Sequence, residues 1–181
     1  MKGIVFTEFF EMVEDTFGPE TADTIIEASD LPSGGAYTAV GTYNYNEMVQ
    51  LVVQLSKATG ISVSDLLRTF GKHLFGRFFV GYPHFFNGVA TAFSFLESIE
   101  EIIHSEVRKL YPDAELPTFE FDTSEQGRLS MIYSSERGLA DLAEGLILGC
   151  IDHFGERIEL RKEDLSDGKG KTVRFILTKQ A

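Results

Sequence analysis

Residues 118–137 read TFEFDTSEQGRLSMIYSSER, and within them the period of the chain changes. Polar and apolar residues alternate over 118–122 and again over 128–137, with Gln126-Gly127 between the two runs. That pattern predicts a β-hairpin. Upstream, apolar residues recur every three or four positions. In the first segment, 2–17, they are Val5, Phe6, Phe9, Phe10, Val13 and Phe17, the signature of an amphipathic helix. Gly18-Pro19 ends it, and further helices are predicted over 20–29 and 46–59, the latter closed by Gly60. A fourth runs from a Ser62 or Ser64 cap to Tyr82-Pro83, and a fifth over 90–110 to Tyr111-Pro112. The Gly-rich run 31–44, LPSGGAYTAVGTYN, has no period and reads as a loop.

Downstream of the hairpin a helix is predicted over 138–154, stopped by Gly155. Two strands follow, RIELRKED at 157–164 and KTVRFILTK at 171–179, joined by a Ser166-Asp167-Gly168-Lys169-Gly170 turn. The fold class is therefore α+β: a helical N-terminal part against a C-terminal four-stranded antiparallel sheet with one inserted helix. No repeat or long linker divides the chain, so residues 1–181 are expected to form one domain.

Composition excludes several function classes. The formal net charge is −12, with 16 cationic and 28 acidic side chains, which gives no basic surface for a nucleic acid backbone. No apolar run reaches the ~20 residues that span a bilayer. The N-terminus is interrupted by Glu8, Glu11, Glu14 and Asp15, so it is not a leader peptide, and a cytoplasmic location is expected. The single cysteine, Cys150, lies on an apolar helix and is expected in the core. It forms no Cys-x-x-Cys zinc site and no Cys-x-x-Cys-His haem attachment. No nucleophile motif or metal pair appears at a recognisable spacing, so the chain is not expected to be an enzyme.

Four features invite a ligand. One face of the strand at 128–137 carries Leu129, Met131, Tyr133, Ser135 and Arg137. It begins apolar and ends in a phenol, a hydroxyl and a guanidinium, which suits a ligand with an apolar body and an anionic end. A strand that simply leaves the core would look the same. Half of the 16 phenylalanines fall between 70 and 95, at Phe70, Phe75, Phe78, Phe79, Phe85, Phe86, Phe93 and Phe95. They form either core or the wall of a site for a large flat ligand. The helix at 62–82 contains Gly71 and Gly76, each costing about 1 kcal/mol against Ala, which implies a close approach there, by a ligand or by another helix. The fourth feature is His104, on the shoulder of the apolar face Leu96, Ile99, Ile103, Val107 and Leu110. Periodicity fits a histidine that enters a cavity and one on the surface equally well.

Together these residues resemble the H-NOX family, the haem nitric oxide/oxygen-binding domains of bacterial gas sensors and of soluble guanylate cyclase. The motif Tyr-x-Ser-x-Arg stands at Tyr133-Ser134-Ser135-Glu136-Arg137, about thirty residues after the helical His104, with Pro117 between. The opening Met1-Lys2-Gly3, the Tyr82-Pro83 pair and the order of elements agree along essentially the whole chain. The resemblance implies non-covalent haem b with His104 as the proximal iron ligand. Tyr133, Ser135 and Arg137 would bind the propionates, and Pro117 would press on the porphyrin. The positions matching the distal wall are Val5, Phe9, Leu74, Phe78, Leu142 and Leu146. None is a hydrogen-bond donor, and Leu142 stands where family members that hold oxygen carry tyrosine. The ligands expected are thus nitric oxide and carbon monoxide, not stable oxygen. Stand-alone members work with a separate histidine kinase or diguanylate cyclase, so such a partner is expected. Two rivals remain at this stage. An iron-free module for an apolar carboxylate leaves His104 unexplained, and a phosphotransfer protein using His104 leaves the face from Tyr133 to Arg137 unexplained.

Overall fold

The computed structural model describes residues 1–180. Its N-terminal part packs α1 (Gly3–Phe17), α2 (Pro19–Glu27), α3 (Tyr45–Thr59) and α4 (Val63–Gly81). Local chemistry sets the starts of the two long inner helices. The Asn44 side chain accepts from the Asn46 N–H at the head of α3, and the Ser62 hydroxyl accepts from the Asp65 N–H at the head of α4. The apolar stripes meet in one cluster that includes Phe6, Phe9, Met12, Ile25, Leu51, Leu55, Phe70 and Leu74. Burying each of these large side chains is worth about 1.5–3 kcal/mol.

The aperiodic loop at 31–44 is bound to the start of α1. Gly3 N–H donates to Gly41 O (2.8 Å), Ile4 N–H to Ala39 O (2.9 Å) and Tyr43 N–H to Met1 O (2.9 Å). Gly3 is required there, because a Cβ would overlap the Thr38 carbonyl. Glu47, only 3% exposed, holds the loop from beneath. It accepts from Tyr37 Oη (2.9 Å) and from the Ser33 hydroxyl.

The C-terminal part is a sheet of β1 (Thr118–Asp122), β2 (Arg128–Ser134), β3 (Ile158–Asp164) and β4 (Thr172–Lys179), ordered β1-β2-β4-β3 with every pair antiparallel. Alternation on β2 and β4 directs Leu129, Met131, Tyr133, Val173, Phe175 and Leu177 inward. The inserted helix α7 (Ala140–Phe154) covers that face with Ala143, Ile147, Cys150 and Ile151.

Two boundaries differ from the sequence expectation. β2 stops at Ser134, so Ser135 and Arg137 stand in the turn that follows and not on the strand. The Ser135 N–H still donates to Lys171 O (2.8 Å), but Gly138 turns the chain back onto Ser135 O. The helix at 90–110 divides into α5 (Ala92–Glu97), a π turn (Ile99–His104) and α6 (Ser105–Leu110). The wider turn breaks the 100° register: Leu96 is buried and Ile99 and Ile103 pack against the sheet-side cluster as the face implied, but the face does not continue to Leu110. Leu110 and Ile102 lie in solvent while His104 is buried.

The two halves meet where α4 crosses α7. A Cβ on Gly71 would lie 2.7 Å from Gly145 Cα, and one on Gly149 would lie 2.8 Å from Phe75 Cβ. The close approach at Gly71 is thus helix against helix, whereas a Cβ on Gly76 would meet no neighbour within 4 Å among the described residues. Most of the phenylalanine run is core: Phe75, Phe86 and Phe95 pack on one another, Phe86 and Phe95 stacked at 4.5 Å.

Candidate cofactor site

His104 is the one histidine in the interior, at 8% exposure. It is the last residue of the π turn, a distortion common at functional sites. Its Nδ1–H donates to Glu100 Oε1 at 3.1 Å, and Nε2 makes no hydrogen bond among the described residues. Burial pushes the imidazole pKa below its ordinary value, against the opposing pull of Glu100. The ring is therefore neutral at pH 7, with an uncommitted lone pair on Nε2, the state in which histidine ligates a metal. Among the described residues no three His, Cys, Asp or Glu side chains converge. One protein nitrogen is what an iron held in a porphyrin needs.

An aromatic path leads from His104 to the Tyr-x-Ser-x-Arg motif. The imidazole lies 6.0 Å from the Phe119 ring, and Phe119 lies edge-on to Tyr133 at 5.7 Å. This follows from the sheet register, which pairs Phe119 with Tyr133. Burial raises the Tyr133 phenol pKa, against the opposing influence of Ser135, the Leu139 backbone and Arg137. The three motif side chains are thus neighbours although only Tyr133 is on the strand. The Arg137 N–H donates to Ser135 Oγ (3.3 Å).

The Arg137 guanidinium, 15% exposed, reaches Glu115 Oε2 at 3.1 Å and lies 5.9 Å from the Tyr45 ring. Glu115 is 84% exposed, so that pair is a surface ion pair of small worth and a buried carboxylate can displace it. The Met1 amine is close by. Its pKa is lowered by burial and then by Arg137, and it donates to Tyr43 O at 2.7 Å. The cradle therefore has hydroxyls, a guanidinium and an ammonium, a set that matches anionic carboxylates. Pro117 is half-buried, immediately before β1.

The six expected distal residues are also brought together. Phe9, Leu74 and Leu142 are buried in the first cluster, and Val5, Phe78 and Leu146 pack against it. Leu146 packs against the second cluster as well, so it stands on the seam between the two halves. None of the six side chains carries a hydrogen-bond donor. An imidazole with a free nitrogen, an apolar wall and a cationic hydroxyl cradle make a donor set that fits haem.

Sequence reasoning missed Glu100, Glu115, Tyr45 and the Met1 amine. For Glu100 a signal was present, since it lies four residues before His104 on a helical segment. For Glu115 and Tyr45 only the tertiary arrangement reveals the proximity to Arg137.

A family model described as haem-NO-binding matches residues 2–162. No curated protein matches the chain. Among solved structures, the Fe(II) unliganded H-NOX protein from K. algicida is 43% identical, with a TM-score of 0.93 over 100% of this chain and 97% of that one. The H-NOX from Shewanella woodyi, in the Fe(II)CO state and bound to IWP-051, is 40% identical, with a TM-score of 0.85 over 99% and 95% of the two chains. An H-NOX protein from S. oneidensis in the Fe(II)NO state is 25% identical, with a TM-score of 0.91 over 100% of both. The model match, the full-length likeness and the donor set agree, and the chain belongs to the haem-NO-binding, or H-NOX, family.

Proposed function

We propose that this chain is a single-domain sensor of nitric oxide and carbon monoxide. It holds haem b non-covalently, with His104 as the only protein ligand to iron. The observation that carries the reading is the buried imidazole of His104, its Nδ1 held by Glu100 and its Nε2 left free among the described residues. When bound, ferrous haem would supply an iron able to take diatomic gases, and His104 would hold that iron from the protein side.

The chain's own residues do the rest. Tyr133, Ser135 and Arg137 donate to the two propionates, and Arg137 gives up its exposed partner Glu115 to do so. Val5, Phe9, Leu74, Phe78, Leu142 and Leu146 exclude water and offer no donor. Bound oxygen gathers negative charge and needs a donor to persist, whereas nitric oxide and carbon monoxide need none. The wall therefore selects the latter two. Pro117, just ahead of β1, presses on the porphyrin face.

His104 is also the mechanical link. It ends the π turn and begins the run into α6, so loss of its iron bond untethers Ile99–Leu110. The two states differ in free energy by that bond and by the packing it imposes. A separate cytoplasmic signalling protein, a histidine kinase or a diguanylate cyclase, reads the change. The chain itself carries out no catalytic step.

Anaerobic reconstitution with haem tests this. The expected product is coloured, holds one haem per chain, and changes spectrum with nitric oxide and with carbon monoxide. In air it forms no long-lived oxygen complex. A colourless product that instead binds apolar carboxylates at Arg137 would favour the iron-free reading.

A further inference from the structure

We propose that Glu100 is the positioning residue of the iron ligand: its carboxylate locks His104 in the tautomer that presents Nε2 and makes that nitrogen a stronger donor. The inference rests on the reading of His104 as the ligand.

Glu100 Oε1 is shared by two donors. It accepts from His104 Nδ1 at 3.1 Å and from the Phe119 backbone N–H at 2.9 Å. Its Oε2 lies 3.5 Å from Arg108 Nη2. The carboxylate is thus held by three elements: the π turn that carries it, the first residues of β1, and α6. β1 is an edge strand, and the Phe119 N–H points away from β2, where a strand edge has no ladder partner. Glu100 supplies the acceptor. Its neighbour Glu101 is exposed and makes no such contact.

The consequence is chemical. An imidazole has one N–H and one lone pair, and the partner of one nitrogen decides the state of the other. A carboxylate accepting from Nδ1 requires the proton there, so Nε2 keeps its lone pair. A charged acceptor also draws that proton and raises the basicity of the ring, the arrangement by which outer partners strengthen histidine ligands. Anchoring by Phe119 and Arg108 keeps the carboxylate from following the ring when the ring moves. Glu100 therefore sets how firmly His104 holds iron and how readily nitric oxide displaces it. The Phe119 contact extends this grip to the strand that begins right after Pro117.

If Glu100 served only to cap the edge of β1, the state of the imidazole would not depend on it. Full-length wild type, Glu100→Gln and Glu100→Ala separate the two roles. In the haem-free protein, nitrogen NMR of labelled histidine is expected to show His104 as a single tautomer with the proton on Nδ1. That tautomer should persist in Glu100→Gln and give way to a mixture in Glu100→Ala. In the ferrous haem protein the iron–histidine stretching frequency is expected to fall from wild type to Gln to Ala. Nitric oxide should displace His104 roughly 10-fold faster in Glu100→Ala. The Gln variant keeps an acceptor for Phe119 and so covers the case in which the Ala variant fails to fold. An iron–histidine band that is present but identical in wild type and Glu100→Gln, with an unchanged rate of displacement, overturns this proposal alone. A wild-type protein with no such band overturns the ligand reading and this proposal with it.

Discussion

At the scale of single residues, the proposed site divides into a donor for iron, a cradle for charge and a wall without polar groups. Each makes its own demand. Arg137 is the strongest member of the cradle, since a hydrogen bond to a charged partner is worth about 1.5–3 kcal/mol. Arg137→Leu is therefore expected to speed haem loss by roughly 10- to 100-fold, measured as transfer to an excess of an apo-globin. The wall makes the opposite prediction. Leu142 stands in the buried cluster with Phe9 and Leu74, and Leu142→Tyr adds a phenol where no donor exists. Oxygen should then dissociate about 10-fold more slowly, the equivalent of one hydrogen bond, as seen by stopped-flow release from the ferrous protein. Sequence and resemblance together put these positions forward. Neither identified Glu100, although its spacing from His104 was in plain view, because a glutamate four residues before a histidine is ordinary on any solvated helix. The Phe119 N–H that draws it inward belongs to a strand nineteen residues away, and no local pattern records that.

At the scale of elements, periodicity was a good guide wherever the backbone was regular. Four N-terminal helices, four strands and the inserted helix stand where the pattern placed them. It was a poor guide at the two places that carry the site. The π turn at Ile99–His104 shifts the register, so the shoulder position derived for His104 becomes an interior one. The turn after Ser134 removes Ser135 and Arg137 from the strand, yet the Ser135 N–H bond to Lys171 O keeps them close to Tyr133. Both irregularities need tertiary contacts to exist, which is why sequence alone did not show them. The α4–α7 crossing was half legible: Gly71 announced a close approach but not its partner. Gly145 is that partner, and a Cβ on it would strike the Arg68 carbonyl and lie 2.8 Å from Gly71 Cα. Both obstacles are backbone. Gly145→Ala should destabilise the protein by about 1–3 kcal/mol through overpacking, read as a lower urea midpoint at constant slope.

At the scale of the whole molecule, two apolar clusters share α4 and α7, with Phe70 and Leu74 of α4 in the N-terminal cluster and Phe75 in the sheet-side one. Leu142 of α7 belongs to the N-terminal cluster, Ala143, Ile147 and Cys150 to the sheet-side cluster, and Leu146 to the edge of both. A rigid seam of this kind lets a small shift on one side be felt on the other. Next to the Arg137 cradle, Lys2 pairs with Asp113 (3.4 Å) and lies over the Tyr111 ring (4.3 Å). That contact ties the N-terminus to the segment just after α6. The segment that loss of an iron–His104 bond would free is therefore bounded by contacts to both halves, which suits the proposed reading in which one bond changes a surface. Which half a partner touches was not written in the composition, since a net charge of −12 names no face. The central claim is narrower and directly testable: of four histidines, one holds iron. His73, His84, His104 and His153 are each replaced by glycine, loaded with haem under anaerobic conditions, and compared by optical spectroscopy. The account predicts that only His104→Gly loses the spectrum of histidine-ligated ferrous haem, and that free imidazole restores it. A His104→Gly protein that keeps that spectrum without imidazole would contradict the account.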